Sequence, residues 1–376
     1  MDLRYQKITV KIGSNVLTKD DGTLNVAQIA HLVDQIALLR KNGVEVILVS
    51  SGAVAAGKAV LKKLDKNDAV TSRQIWAALG QVKLINRYTD FFQEHGLLCA
   101  QVLTTKENFS SRGHYLNMKN CITSLLENNV IPVINENDTI SVNELMFTDN
   151  DELSGLIATM VGSQALIILS NVEGIYDGDP EDENSKLVTR ISKNDFNPEK
   201  SITTSKSGFG RGGMVTKFRI AKKVSNGGIG VHIAKGDKEN ILINIIDREK
   251  DVKHTYFVPE KKNTSAIKSW ISYSDSFAKA HLVINNGASK ALFSNKAVSL
   301  LPVGVISVEG TFHKGDLLKI FNEKNEFLGL GKAQYHSEKL MDEMAGGKEG
   351  LDGEKQKPVI HYDYLYLEEI IIDSEL

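Results

Sequence analysis

The chain has 376 residues, 41 % of them hydrophobic and 24 % charged, with a formal net charge of −2. That length suits two domains and that composition a soluble globular protein. The near-neutral balance excludes a global basic field for nucleic acid or an anionic membrane. The two cysteines are Cys99, in the apolar run Leu97-Leu98-Cys99-Ala100, and Cys121, in a helical pattern. Both are expected to be buried thiols in a reducing compartment, and without a Cys-x-x-Cys pair a thiolate zinc site is not expected. The N-terminus opens on a mixed polar strand and no apolar run reaches bilayer-spanning length, so a cytoplasmic protein with no membrane partner is expected.

In chain order, Ile8-Thr9-Val10 predicts a short strand ending at Lys11-Ile12-Gly13-Ser14. A helix follows over 26–42, with Asn25 as N-cap and Gln28 three residues on, and Gly43 suits the left-handed residue that closes it. Strands are predicted over 44–50, 97–103, 130–134, 165–169 and 229–233. Helices are predicted over 72–95, 115–127, 151–161 and 213–225. Near-continuous apolar strands alternating with amphipathic helices define an α/β class, a mostly parallel sheet sandwiched by helices. Ligand sites in such sheets lie beyond the carboxyl ends of the strands. After about residue 250 the elements become short and turn-rich, which predicts a small β-rich domain with one helix near 337–344. The expected division is a catalytic domain over 1–255, a linker over 256–277, the β-rich domain over 278–358 and a C-terminal extension over 359–376.

Four strand ends carry candidate chemistry. Lys11 before Gly13-Ser14-Asn15 fits either an exposed lysine at a turn or an ammonium aimed into the crevice above the sheet. Ser50-Ser51-Gly52 opens a run of small residues, where free N–H groups at a helix start favour an anion. Gly52-x-x-x-x-Gly57-Lys58 matches most of a P-loop. The next residue is Ala59, however, so the magnesium-binding hydroxyl is missing, and Ala53-Val54-Ala55-Ala56 reads as a helix. Asn135-Glu136-Asn137-Asp138-Thr139 is either a turn or a polar cluster for a ligand. Thr148-Asp149-Asn150-Asp151-Glu152 supplies more acceptors than one N-cap needs. Farther on, Gly208-Phe209-Gly210-Arg211-Gly212-Gly213-Met214-Val215-Thr216-Lys217 fits either a flexible loop or a glycine-rich phosphate cradle with Lys217 on the first helical turn. The nine histidines are scattered, and no Ser-His-Asp set, His-Glu-x-x-His helix or paired-carboxylate pattern emerges.

Taken together, Val10 to Ser14, Val49 to Gly57, Pro132 to Asp138, Asp149 to Ser154 and Gly212 to Lys217 resemble the amino acid kinase family in order and spacing, over about 1–255. The tail from about 278 to 358 resembles a PUA domain. The resemblance implies transfer of the ATP γ-phosphoryl group to the γ-carboxylate of L-glutamate, the first step of proline synthesis, with Mg2+ on the phosphates and no metal ligand assigned to the protein. It implies Lys11, Lys217 and Asp151 as catalytic residues, Asp151 holding the two lysines. Ser51, Gly52, Asn135, Asp138 and Asn150 would bind glutamate. Lys11, Ser170, Asn171, Arg211, Gly212, Gly213, Met214, Val215, Thr216 and Lys217 would bind ATP. Ser170-Asn171 stands where the family often has Thr-Asp, so no negative charge is supplied there, and Arg211 replaces a frequent small hydroxyl residue. Proline as feedback inhibitor and a homo-oligomer, dimer or tetramer, are implied in the same way. Two alternatives remain: another acceptor, such as aspartate or acetylglutamate, and RNA binding through the PUA-like region. The 278–366 stretch is not visibly basic, and exposed aromatics are sparse there.

Overall fold

Lys7 to Ile12 and Glu45 to Ser50 are each buried at every position but the first, and Ala165 to Ser170 at every position. Strands apolar on both faces belong in the middle of a sheet covered on both sides, and the computed structural model places them there. It describes residues 1–62, 68–141, 147, 149–178, 182, 184–192, 213–260, 266–272, 274–294, 297–345 and 357–368. The chain divides into two units, Met1–Asn263 and Thr264–Leu376.

The described elements of the first unit run β1 (Lys7–Ile12), α1 (Ser14–Leu17), α2 (Val26–Lys41), β2 (Glu45–Ser50), α3 (Ala53–Val60), α4 (Ala69–Glu94), β3 (Leu98–Thr104), α5 (Arg112–Glu127), β4 (Val130–Glu136), α6 (Asn150–Val161), β5 (Ala165–Ser170), β6 (Arg190–Ile191), α7 (Met214–Asn226), β7 (Gly230–Lys235), α8 (Ile241–Ile246) and β8 (Thr255–Phe257). The sheet order is β3-β4-β2-β1-β5-β7-β8-β6. Every pairing is parallel except β7 with β8. The register sets Ile12 level with Ser50 on one side and Leu169 on the other. The carboxyl ends of β4, β2, β1 and β5 are thus neighbours, and four separate sequence motifs meet along one edge.

Local chemistry explains the helix ends. Asn25 accepts the Gln28 N–H at 3.3 Å, and Gly43 closes α2 at φ 84°. The fourth helix starts at Ala69, earlier than its hydrophobic period indicates, because Asp68 accepts the Thr71 N–H at 2.8 Å and caps it there. Residues 53–60 form a helix, so Gly57 wraps no phosphate. Its glycine serves packing: a Cβ on Gly57 would lie 1.8 Å from the Trp76 carbonyl oxygen, and one on Gly80 1.7 Å from that of Ala53. Helices α3 and α4 therefore cross backbone to backbone. The β4 strand runs on to Glu136, so Asn135 and Glu136 belong to the strand and not to a following turn.

The thiols differ from expectation. Cys99 is half-buried and its pKa is raised by burial, whereas Cys121 is exposed on α5. The apolar period places Cys121 on a helix but does not say which flank the neighbouring elements cover.

The second unit adds α9 (Ala266–Ser272), β9 (Ala280–Ile284), α10 (Asn286–Leu292), β10 (Val305–Glu309), β11 (Leu317–Phe321), β12 (Phe327–Ala333), α11 (Ser337–Ala345) and β13 (Ile360–Leu367). Its sheet order is β10-β9-β11-β12-β13 around a core that includes Leu282, Phe312, Ile320, Leu328 and Leu340. Two expected boundaries shift. Residues 360–367 are a strand paired antiparallel with β12, not an extension. The stretch expected as linker contributes Tyr256 and Phe257 of β8 to the first sheet, while α9 buries Trp270 and Ile271 and packs on β12 and β13. No described helix is long and apolar enough to cross a membrane.

The helix crossing generates a test. Gly57→Ala forces two backbones apart and is expected to cost about 1–3 kcal/mol, lowering the thermal midpoint. Gly113→Ala on α5, whose Cβ would meet nothing within 4 Å, is expected to leave it unchanged or slightly raised. Equal effects of the two changes would show that the crossing is not tight.

Candidate active site

A cavity of about 500 Å³ opens over the aligned strand ends, lined by residues that include Lys11, Gly13, Ser14, Ser51, Gly52, Arg73, Asn135, Glu136, Asp138, Asp149, Asn150, Asp151, Ser170, Asn171 and Lys217. All of them belong to the first unit.

At its floor lies Asp151, in the first turn of α6 and 0 % exposed. Lys11 Nζ contacts its Oδ1 at 2.5 Å and Lys217 Nζ its Oδ2 at 2.9 Å. Burial would raise this carboxyl, but the two ammonium groups outweigh burial and hold it below the usual carboxylate range. Two cations share one anion, so the trio keeps one positive charge facing the cavity. Gly13 lies close against β5: its N–H donates to the Leu169 carbonyl at 3.0 Å, and a Cβ there would sit 3.2 Å from that oxygen.

Asp149 caps α6, its Oδ1 accepting the N–H groups of Asp151 and Glu152 at 2.9 and 3.1 Å. Its carboxyl is raised by burial and by the Asp151 charge. Its Oδ2 is buried with no hydrogen-bond partner among the described residues. A buried acceptor facing a cavity calls for a donor from an incoming group.

On one side of this floor Asn150 Nδ2 donates to Ser51 Oγ at 2.9 Å, to Asn135 Oδ1 at 3.0 Å and to the Ser50 carbonyl at 3.0 Å. Asn135 Nδ2 in turn donates to Gln81 Oε1 at 2.8 Å. The turn between Ser51 and α3 depends on Gly52, whose φ of 97° lies in the left-handed region that glycine adopts freely. Asp138 accepts from Arg73 Nε at 3.2 Å and from Nη2 at 2.7 Å, both on Oδ1. Glu136 accepts the Phe147 N–H at 3.0 Å, and burial pushes its carboxyl up to about 7.

On the other side Ser170 is buried at the end of β5 and donates to Asn171 Oδ1 at 3.3 Å. Gly213 is the N-cap of α7, and its carbonyl accepts from the N–H groups of Thr216 and Lys217 at 3.0 and 3.2 Å. Met214, Val215 and Thr216 form the first turn that carries Lys217. Of the residues expected at the nucleotide, Arg211 and Gly212 lie outside the described residues. The structure thus brings Lys11, Ser51, Gly52, Asn135, Asp138, Asn150, Asp151, Ser170, Asn171 and Lys217 to one cavity.

Arg73, Gln81, Glu136 and Asp149 also line or support it without having been given a role from sequence. Arg73 and Gln81 had a faint signal: they lie eight residues apart on one face of α4, among Ala77, Gly80 and Leu84, which that face buries.

Residues 6–235 match the model of the amino acid kinase family and residues 280–349 that of the PUA domain. The chain belongs to the amino acid kinase family. It is 52 % identical over 368 residues to a Bacteroides thetaiotaomicron protein named glutamate 5-kinase, covering 98 % of this chain and 100 % of that protein. Proteins of the same name from Chlorobaculum tepidum and a Thermoanaerobacter species are 46 % and 39 % identical, covering 96 % and 89 % of this chain and 98 % and 89 % of theirs.

The raised Glu136 carboxyl predicts a pH signature. Folded, it holds its proton up to about pH 7, against an ordinary value of 4.5. Between those values the folded chain binds more protons than the unfolded, so this group's contribution to stability is lost as pH rises through the window. Glu136→Gln, which keeps an acceptor for the Phe147 N–H, is expected to raise the thermal midpoint at pH 8 and to leave it nearly unchanged at pH 4. A gain of equal size at both pH values would remove ionisation as the cause.

Proposed function

We propose that this chain transfers the γ-phosphoryl group of ATP to the γ-carboxylate of L-glutamate, giving L-glutamyl 5-phosphate, the first step of proline biosynthesis. The observation that carries the reading is Asp151 between Lys11 and Lys217, at the seam between an amide-lined side and a helix-start side of one cavity. The near full-length relatives named glutamate 5-kinase support the choice of acceptor.

A side-chain carboxylate with a pKa of about 4.3 arrives ionised and needs no general base. An oxygen of the γ-carboxylate forms a bond to Pγ. The bond from Pγ to the bridging oxygen breaks, and ADP leaves with that electron pair. The site supplies alignment and positive charge for a loose, charge-spread transition state. Lys11 and Lys217 provide that charge, and Asp151 fixes the distance between them. Ser51, Gly52, Asn135, Asp138 and Asn150 hold glutamate, with Asp138 on its α-ammonium. Ser170, Asn171, Gly213, Met214, Val215 and Thr216 hold the nucleotide together with the two lysines, and Arg211 and Gly212 complete that set.

The donor set fits a triphosphate: two ammonium groups, a glycine turn and a helix start. The unpartnered Asp149 Oδ2 fits a water carried by a divalent cation. Mg2+ in such a site would be held mainly by phosphate oxygens and water. When bound, that ion neutralises charge on the β- and γ-phosphate oxygens. Inhibition by proline, a dimeric or tetrameric assembly and a cytoplasmic location follow from the family resemblance and complete the proposal.

Trapping the acyl phosphate with hydroxylamine tests the reaction. ATP-dependent hydroxamate is expected with L-glutamate and not with aspartate or N-acetylglutamate; signal with another acceptor alone would overturn the substrate. Lys217→Ala is expected to lower kcat about 10²–10³-fold with little change in KM for glutamate. A rise in KM at unchanged kcat would assign Lys217 to ground-state binding.

A further inference from the structure

An α-amino acid acceptor presents three charges: the reacting carboxylate, an α-ammonium and a second carboxylate on the α-carbon. Resting on the glutamate reading, the assignments so far leave the α-carboxylate without a cation of its own. The cavity's cationic lining among the described residues is Lys11, Lys58, Arg73 and Lys217. Lys11 and Lys217 are held by Asp151 at the phosphoryl end. Lys58 is exposed and lies over the Trp76 ring, 5.5 Å from its centroid. Arg73 is the only arginine among these residues, and it contacts Asp138, the residue placed on the α-ammonium.

The geometry of that contact leaves the guanidinium unsaturated. A guanidinium and a carboxylate that satisfy each other pair two donors with two oxygens. Here Nε and Nη2 converge on one oxygen, Asp138 Oδ1. The Asp138 side chain is 9 % exposed and the Arg73 side chain 32 %, so the anion is fixed while the cation stands at the open wall.

Placement on α4 agrees. Gln81 reaches Asn135, which contacts Asn150, next in sequence to Asp151. Arg73 sits two turns away on the same face. The helix thus supplies a support for the Asn135–Asn150 pair and, two turns away, the Arg73 side chain that lines the cavity.

We propose that Arg73 receives the acceptor's α-carboxylate while Asp138 receives its α-ammonium, so that the Arg73–Asp138 pair serves as a zwitterion receptor. The acceptor's two α-substituents replace the contact that each side chain makes with the other. Arg73 is then a specificity-determining residue, acting on binding and not on the phosphoryl group.

The test compares L-glutamate with 4-aminobutyrate, which is glutamate without the α-carboxylate, in the hydroxamate assay on the full chain. In the unchanged protein kcat/KM is expected to favour glutamate. Arg73→Gln is expected to reduce that preference about 10–100-fold, by raising KM for glutamate while 4-aminobutyrate is little affected. Arg73→Lys, which keeps the charge without the fork, is expected to fall between the two. Asp138→Asn is the counterpart: it is expected to erase the preference for glutamate over glutarate, which lacks the ammonium. An analogue too slow to score is read as a competitive inhibitor against glutamate, and if it does not compete, the α-carboxamide of glutamate replaces 4-aminobutyrate. If Arg73 only props Asp138, Arg73→Gln lowers both activities equally and the ratio stays put; that outcome overturns the proposal. Thermal midpoints of the variants separate it from unfolding. Absence of hydroxamate from glutamate in the unchanged protein would instead overturn the parent reading.

Discussion

Taking the Asp151 carboxylate out of water costs several kcal/mol unless partners compensate, and here two ammonium groups do so from opposite oxygens. Those partners come from β1 and from α7, more than two hundred residues apart, and the carboxylate from the start of α6. The trio therefore ties three elements to one point. It can form only if the sheet register brings the ends of β1, β2 and β5 level, which the pairings of Ile12 with Ser50 and Leu169 achieve. Removing Asp151 would leave two ammonium groups facing each other, and removing either lysine would leave a one-to-one pair without the second cation, so architecture and chemistry constrain the same side chains.

From this point the cavity is graded in charge. One end sets the Lys11 and Lys217 ammonium groups around the Asp151 carboxylate, with the Asp149 carboxyl beside it. Another part is neutral, lined by Ser51, Asn135 and Asn150, with Gln81 supporting Asn135. The far end holds a paired cation and anion in Arg73 and Asp138. A chain with a carboxylate at one end and a zwitterion at the other matches that order, which links electrostatics to the proposed choice of acceptor. Glu136 beneath the Phe147 N–H and Asp149 beside Asp151 add carboxyls that burial makes easier to protonate, which limits the negative charge a phosphate would meet.

Much of this was legible in the sequence because buried parallel strands must be apolar runs, and their polar endings then stand out. Lys11, Ser50-Ser51, Asn135 and Ser170 are each the break in such a run, and a parallel sheet puts all such breaks on one edge. What was not legible depends on which surfaces meet. Arg73 and Gln81 read as ordinary helix residues until α4 is laid across α3, and that crossing is encoded only by two glycines, one of which imitates a phosphate-binding loop. Asn135 and Glu136 resembled a turn because their hydrogen-bond partners, Gln81 and Phe147, lie elsewhere in the chain. The β13 strand looked like a tail because its partner β12 lies about thirty residues earlier and its alternation of aromatic and polar residues is that of a half-exposed edge.

The contact of Gly57 with the Trp76 carbonyl and of Gly80 with the Ala53 carbonyl leaves no side chain at either of these two points to compress or repack. Helices that meet through main-chain atoms lack the soft layer that lets others slide, so α3 and α4 behave as a single stiff plate. The width of the acceptor compartment is then set by the plate's distance from the sheet and not by play within it. A descendant of this chain adapted to a longer or shorter acceptor would have to trade side-chain lengths at its rim, because the plate itself has no slack to give.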